Sequence, residues 1–140
     1  MSSVAGTSLS ARFQKWSRNL EGYSGTRYRA VELYCGNAWS VVRRIVENGA
    51  LGPRVRLWIA SAGCGLLRPD TMLPPYSATF ARGERDCVVR DGDADVVAAW
   101  WKLLAGTRKL TGVGVGSIAD IARKHSGEVL IVALSSEYLS

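Results

Sequence analysis

Histidine is almost missing from this chain: His125 is the only one. The three cysteines, Cys35, Cys64 and Cys87, form no Cys-x-x-Cys unit. Together these shortages argue against a zinc site, and no other metal ligand set is visible. Three thiols cannot all pair with one another, so a reducing, cytoplasmic setting is expected. No apolar run reaches the about eighteen residues that mark a membrane span, so no membrane association is expected. The opening Met1-Ser2-Ser3-Val4-Ala5-Gly6-Thr7 has no basic region followed by an apolar core and does not read as a secretory leader. The stretch Thr111-Gly112-Val113-Gly114-Val115-Gly116 has neither the Gly-x-Gly-x-x-Gly spacing nor a Gly-Lys-Ser/Thr ending. It reads as a connector, and no cofactor is implied.

What the chain does hold is enough apolar material for a core. Hydrophobic residues make up 47% and charged residues 21% of 140 positions, which fits one globular domain spanning 1–140. Its first thirty residues read as a basic helix and loop, and 31–140 as the core.

The net charge of +6 is unevenly placed. Residues 1–56 carry nine Lys/Arg against three Glu, and residues 57–140 carry nine of each sign. Arg12, Lys15, Arg18, Arg27, Arg29, Arg43 and Arg44 stand in the basic half, with Arg54 and Arg56. The arginine fork suits phosphate, so a nucleic-acid backbone is the expected partner of this face. A solvated basic surface is the plain alternative. Tyr23 and Tyr28 among Arg27 and Arg29 could stack on bases.

Helical spacing appears in four places. Ser8 or Ser10 caps a helix over 8–20 with Phe13, Trp16 and Leu20 on one side. Asn37 opens a helix to about Asn48 with an apolar stripe of Val41, Val42, Ile45 and Val46, stopped at Asn48-Gly49. Asp93 caps 94–105, whose inner face is Val96, Val97, Trp100, Trp101 and Leu104. Two adjacent tryptophans cannot both point inward, so one is expected in the core and the other partly exposed. Ser117, with Asp120 three residues on, caps a helix carrying Ile118, Ile121 and Ala122. A turn is expected at Asp91-Gly92.

Two apolar strands are expected, 55–61 and 128–135. The second is a near-continuous apolar run of the kind found buried on both faces. Strands alternating with helices predict an α/β layered domain with a mainly parallel sheet. The chain ends soon after a strand that a helix would normally cover. The expectation is therefore a domain incomplete at either end, or a partner that supplies the missing layer.

The first strand breaks into Ser61-Ala62-Gly63-Cys64-Gly65, where a backbone can approach a ligand closely. Ligands in open α/β sheets bind beyond the carboxyl ends of strands. Ser61, Cys64 and Asp70 are the candidate catalytic groups. Cys64 would need a lowered pKa or a neighbouring base, and Asp70 could act as a general base or simply cap a turn. Tyr34, Gly36, Gly63, Gly65 and Tyr76, with Ser136 and Tyr138 after the second strand, are the candidate ligand-binding residues. The geometric expectation is that the two strand tips open onto one cleft.

The segments Leu33-Tyr34-Cys35-Gly36-Asn37-Ala38-Trp39, Leu57-Trp58-Ile59-Ala60-Ser61-Ala62-Gly63-Cys64-Gly65-Leu66-Leu67-Arg68-Pro69-Asp70 and Pro75-Tyr76-Ser77-Ala78-Thr79-Phe80 resemble the YaaA-like peroxide-stress family and its small bacterial and phage relatives. The likeness spans roughly residues 33–80. It implies a uracil-DNA-glycosylase-like α/β fold and a link to DNA. Some relatives are tied to 7-deazaguanine DNA modification, which would make hydration or hydrolysis of such a base the reaction to expect. Two departures weaken the carry-over. The family's opening strand has no counterpart before Leu33, and Ser77 stands where the family has Asp. The leading expectation is a DNA-associated protein that recognises or modifies a nucleobase. The alternative is a noncatalytic interaction subunit of a DNA-handling or phage-defence complex; a small-nucleotide binder is a third, weaker reading.

Overall fold

The computed structural model describes residues 8–48, 52, 55–89, 94–107, 116–134 and 138. The elements run α1 (Leu9–Glu21), β1 (Tyr28–Arg29), α2 (Ala30–Leu33), α3 (Asn37–Glu47), β2 (Ile59–Ser61), β3 (Gly65–Leu67), β4 (Met72–Leu73), α4 (Ala94–Gly106) and α5 (Ile118–Lys124).

The expected helices form where their spacing placed them. The Ser8 hydroxyl accepts from Ala11 N at 3.2 Å and caps α1. Phe13 and Leu20 are its buried face. Ser117 caps α5 by accepting from Asp120 N at 3.0 Å, and its own hydroxyl donates to the Asp120 carboxylate at 2.8 Å. Asp93, the Asp91-Gly92 turn, Gly49 and the glycine-rich 111–115 lie outside the described residues.

The sheet is not the one expected. Among the described residues there is no parallel sheet: β1 pairs with β4 and β2 with β3, both antiparallel, and the parallel contact is a single isolated bridge between Thr79 and Cys87. A layered parallel sheet of the uracil-DNA-glycosylase type is therefore corrected to a mainly helical molecule with two short antiparallel ladders. The physical reason lies in the connection. Parallel pairing needs a crossover of about a dozen residues, whereas antiparallel strands can be joined by a tight turn. Only Ala62-Gly63-Cys64 separates β2 from β3, and Gly65 sits at φ +76°, where glycine costs nothing. The chain reverses at once and β2 pairs with β3, in the register Ile59–Leu67, Ala60–Leu66 and Ser61–Gly65.

The second expected strand, 128–135, does not form: among the described residues, 128–134 pair with nothing in a sheet. Val129 is 91% exposed and Ile131 87%, so this run is no central strand. Of the first, only 59–61 is in a ladder.

The β2–β3 hairpin is the central plate. Successive side chains of a strand point to opposite faces. Leu67 and Ile59 accordingly join Leu20, Ala30, Cys64 and Leu73 on one side, while Leu66 meets Ile121 of α5 on the other. A third cluster gathers Phe13, Phe80, Val89, Trp100 and Leu104 around the hairpin turn. Trp100 is 2% exposed and meets Phe13 edge-on at 5.3 Å, whereas Trp101 is half-buried. The pair divides as the helical spacing requires.

Candidate functional site

The turn after β2 is the place where the sequence put its chemistry, and the structure buries it. Ser61 is 2%, Ala62 1% and Cys64 3% exposed. A buried turn carries backbone groups that water cannot reach, and each must find a partner. Here the protein supplies all four polar groups of Ala62 and Gly63 with side-chain partners. Ala62 N donates to the Tyr138 hydroxyl at 3.1 Å. Ala62 O accepts from the Trp100 indole at 2.8 Å. Gly63 N donates to the Ser61 hydroxyl at 3.2 Å, and Gly63 O accepts from the Trp16 indole at 2.7 Å.

The hydroxyls continue this network. Tyr76 lies 2.7 Å from the Ser61 oxygen and 2.5 Å from the Tyr34 oxygen. Burial pushes the Tyr34 hydroxyl up to about 12, raises Tyr76 further still, and pushes the Cys64 thiol up to about 11. An activated nucleophile needs the opposite shift. Gly63 explains its own presence: a Cβ there would stand 2.6 Å from the Tyr76 ring and 2.8 Å from the Trp16 ring. The close approach that the glycine permits is made by two aromatic rings of the same chain.

Asp70 does not join this cluster. Ser61 and Gly65 pair at the turn end of the hairpin, and Ile59 and Leu67 at the other. Asp70 lies past Leu67, beyond that far end, and is exposed. His125 is also elsewhere, with Nδ1 3.2 Å from Arg56 and 3.2 Å from Glu128. Ser77, at the departing position, donates to the Asp86 carboxylate at 2.7 Å. Gly36 lies exposed at φ +103° between α2 and α3. A Cβ at Gly65 would stand 3.5 Å from the Leu104 Cβ. Ser136 lies outside the described residues. Tyr138 does reach the Ser61 turn, so residues from both expected strand ends meet there, through a hydrogen bond.

Tyr138 also edges a cavity of about 440 Å³ with Phe80, Trp101, Lys102, Ala60 and Ile118. Three rings converge on it: Phe80 and Tyr138 at 4.9 Å, Trp101 and Tyr138 at 6.3 Å. Its size falls within the range of small-molecule sites. Nothing in the sequence marks Phe80 or Lys102 for this place. The one signal is Trp101, the tryptophan that helical spacing leaves out of the core.

The basic residues divide into paired and unpaired. Arg29 bonds Glu32 at 2.5 Å, Arg43 bonds Glu47 at 3.1 Å and Arg56 bonds Glu128 at 3.0 Å. Arg12, Lys15, Arg18 and Arg44 have no ion pair among the described residues. Lys15 and Arg18 are exposed, and the spacing of three sets them together on the α1 face opposite Phe13 and Leu20. Arg27 donates to the Leu20 and Tyr23 carbonyls, both at 3.4 Å, which ties the 22–27 loop to the end of α1. In that loop Tyr23 is 37% exposed, and Tyr28 on β1 is 45% exposed. The Tyr23 ring lies over Gly25, where a Cβ would come within 2.5 Å of its hydroxyl oxygen.

No protein-family model, curated protein or solved structure matches the chain. Among the described residues no group of His, Cys, Asp and Glu could hold a metal, and no helix is long and apolar enough to cross a membrane.

Proposed function

We propose that this chain is a noncatalytic domain that binds nucleic acid as a single strand, through the outward face of α1 and the tyrosine loop just beyond it. The observation that carries the reading is the join of two features on neighbouring segments. Lys15 and Arg18 stand exposed without acidic partners among the described residues, and Tyr23 and Tyr28 hold exposed rings just beyond. Cations beside aromatic faces are how proteins track a strand without reading its sequence, because every base has a face to stack on. A DNA partner accords with the YaaA-like resemblance. The base chemistry of that family is not carried over to Ser61, Cys64 and Asp70. Two of these are buried in a satisfied network, and the third sits at the other end of the hairpin.

The test is fluorescence anisotropy with a labelled oligothymidylate across a salt series. Each phosphate contact contributes about 0.7 to the slope of log affinity against log salt for single strands. Lys15→Gln with Arg18→Gln should flatten the slope by about 1.4, and Tyr23→Ala should weaken binding by about 1–3 kcal/mol without changing the slope. A slope indifferent to the double substitution would remove the α1 face from the reading. Conversion of a base by the wild-type protein would overturn the noncatalytic part.

A further inference from the structure

The largest unexplained feature is apolar surface left in the open. Val129, Leu130, Ile131 and Val132 are 91%, 43%, 87% and 49% exposed. The alternation is that of a strand, with odd residues outward and even residues half-covered. Neither N–H nor C=O of 129–133 bonds to backbone among the described residues. Val41 and Ile45 of α3 and Val55 are exposed as well, at 46%, 37% and 53%. Ile45 and Val55 line, with Leu130 and Ile131, one cleft of about 730 Å³. An unpaired, β-branched apolar edge is a ready template for another strand.

We infer that this edge pairs with the same edge of a second copy, in an antiparallel ladder centred on Ile131. Charge and area select the second copy over a charged or small partner. From 129 to 134 there is no ionisable side chain, and the flanking Glu128 is engaged by Arg56 and His125. The edge therefore carries nothing to repel its own copy and nothing to attract a charged partner. The exposed apolar side chains named above offer on the order of 500 Å² per copy, more than half of the ~800 Å² per partner of a standard interface.

Symmetry fixes the register. A two-fold axis through a sheet keeps each residue on its face, and directly opposite residues share a face. Residues of equal parity must therefore meet. Centring on Ile131 uses the whole of 129–133, setting Ile131 against itself, Leu130 against Val132 and Val129 against Ala133.

Sedimentation over a range of concentrations tests the association. The wild type should dimerise, and Ile131→Lys should raise the dissociation constant about tenfold or more, since two like charges would face each other. Ile131 is exposed, so the substitution spares the fold. Added salt should strengthen the dimer by screening the two positively charged copies, whereas it weakens nucleic-acid binding. The two readings thus fail separately. The register is tested by oxidation in a Cys35→Ser background. Opposite α-carbons of a ladder lie about 4.5–5.5 Å apart, within disulfide reach, so Ile131→Cys should cross-link and Val129→Cys should not. A wild type monomeric at every concentration overturns the inference, including the case where a different protein covers the edge. So does a dimer that Ile131→Lys leaves intact, or one in which Val129→Cys cross-links as well as Ile131→Cys.

Discussion

Two segments of this chain look alike as sequence and end in opposite situations. Val55-Arg56-Leu57-Trp58-Ile59-Ala60-Ser61 and Val129-Leu130-Ile131-Val132-Ala133-Leu134-Ser135 are both apolar runs that end in serine. The end of the first is in a ladder, and its turn is wrapped by Trp16, Tyr76, Trp100 and Tyr138. The second, as far as Leu134, lies unpaired with its odd side chains in solvent. The first run has its partner in the residues that follow it. Ala62-Gly63-Cys64-Gly65 folds the first run back on a partner of its own. Among the described residues, the second meets no such partner. An apolar run states a need for burial but does not name the partner that meets it.

The largest effect should come from the wrapped turn. Trp100 fills the space beneath it and donates to Ala62 O. Trp100→Ala should therefore cost about 3–5 kcal/mol through lost packing, with an added penalty for the orphaned carbonyl. Urea unfolding measures it. A loss below about 1 kcal/mol, the scale of an ordinary substitution, would mean that the turn is not held as described.

Next comes Gly63→Ala. The added Cβ would come within 2.6 Å of the Tyr76 ring and 2.8 Å of the Trp16 ring, and overpacking of this kind costs about 1–3 kcal/mol. If the alanine variant is as stable as the wild type while Trp16→Phe is not, the indole hydrogen bond rather than ring packing governs the turn.

Most of the helical frame is legible in the sequence, because periodicity and caps are local. Ser8, Ser117 with Asp120, and the Trp100–Trp101 division depend on neighbours in the chain. Strand pairing is not local, and there the expected parallel sheet gives way to two antiparallel pairs. Ser61 through Gly65 carries small residues whether a ligand approaches or the protein's own rings do, and composition does not distinguish the two. Trp16 lies far upstream of Gly63, so no spacing rule joins them. The α3 stripe shows the same limit. Val41 and Ile45 fall on one face as expected, yet that face is exposed, since amphipathicity does not say whether a partner is at hand. The basic half is legible as charge, but the ion pairs that Arg29, Arg43 and Arg56 make are not.

Alkaline pH should loosen the turn before it touches the rest. Burial favours the neutral forms of Cys64 and Tyr34 in the folded state. Their contribution is full below the unfolded-chain values and is lost as pH rises toward the folded ones. For Cys64 that window runs from 9.0 to about 11, and for Tyr34 from 10.0 to about 12. Stability followed by Trp fluorescence should begin to fall near pH 9, and Cys64→Ala should delay the fall to near pH 10. An onset unmoved by that substitution would place the thiol in contact with water.

The smallest effect should come from the open run. Ile131 is as bulky and apolar as Leu67, but Leu67 is fully buried and Ile131 almost wholly exposed. Large-to-small substitution costs about 2–5 kcal/mol only where packed neighbours are left facing a void. In dilute solution Ile131→Ala should therefore change unfolding free energy by no more than about 0.5 kcal/mol. At concentrations where the edge pairs with its copy, the wild type should gain stability that the variant lacks, because whatever binds only the folded state shifts its equilibrium. A loss at high dilution as large as that of Leu67→Ala would mean that the run is buried within its own fold, and the contrast between the two segments would disappear.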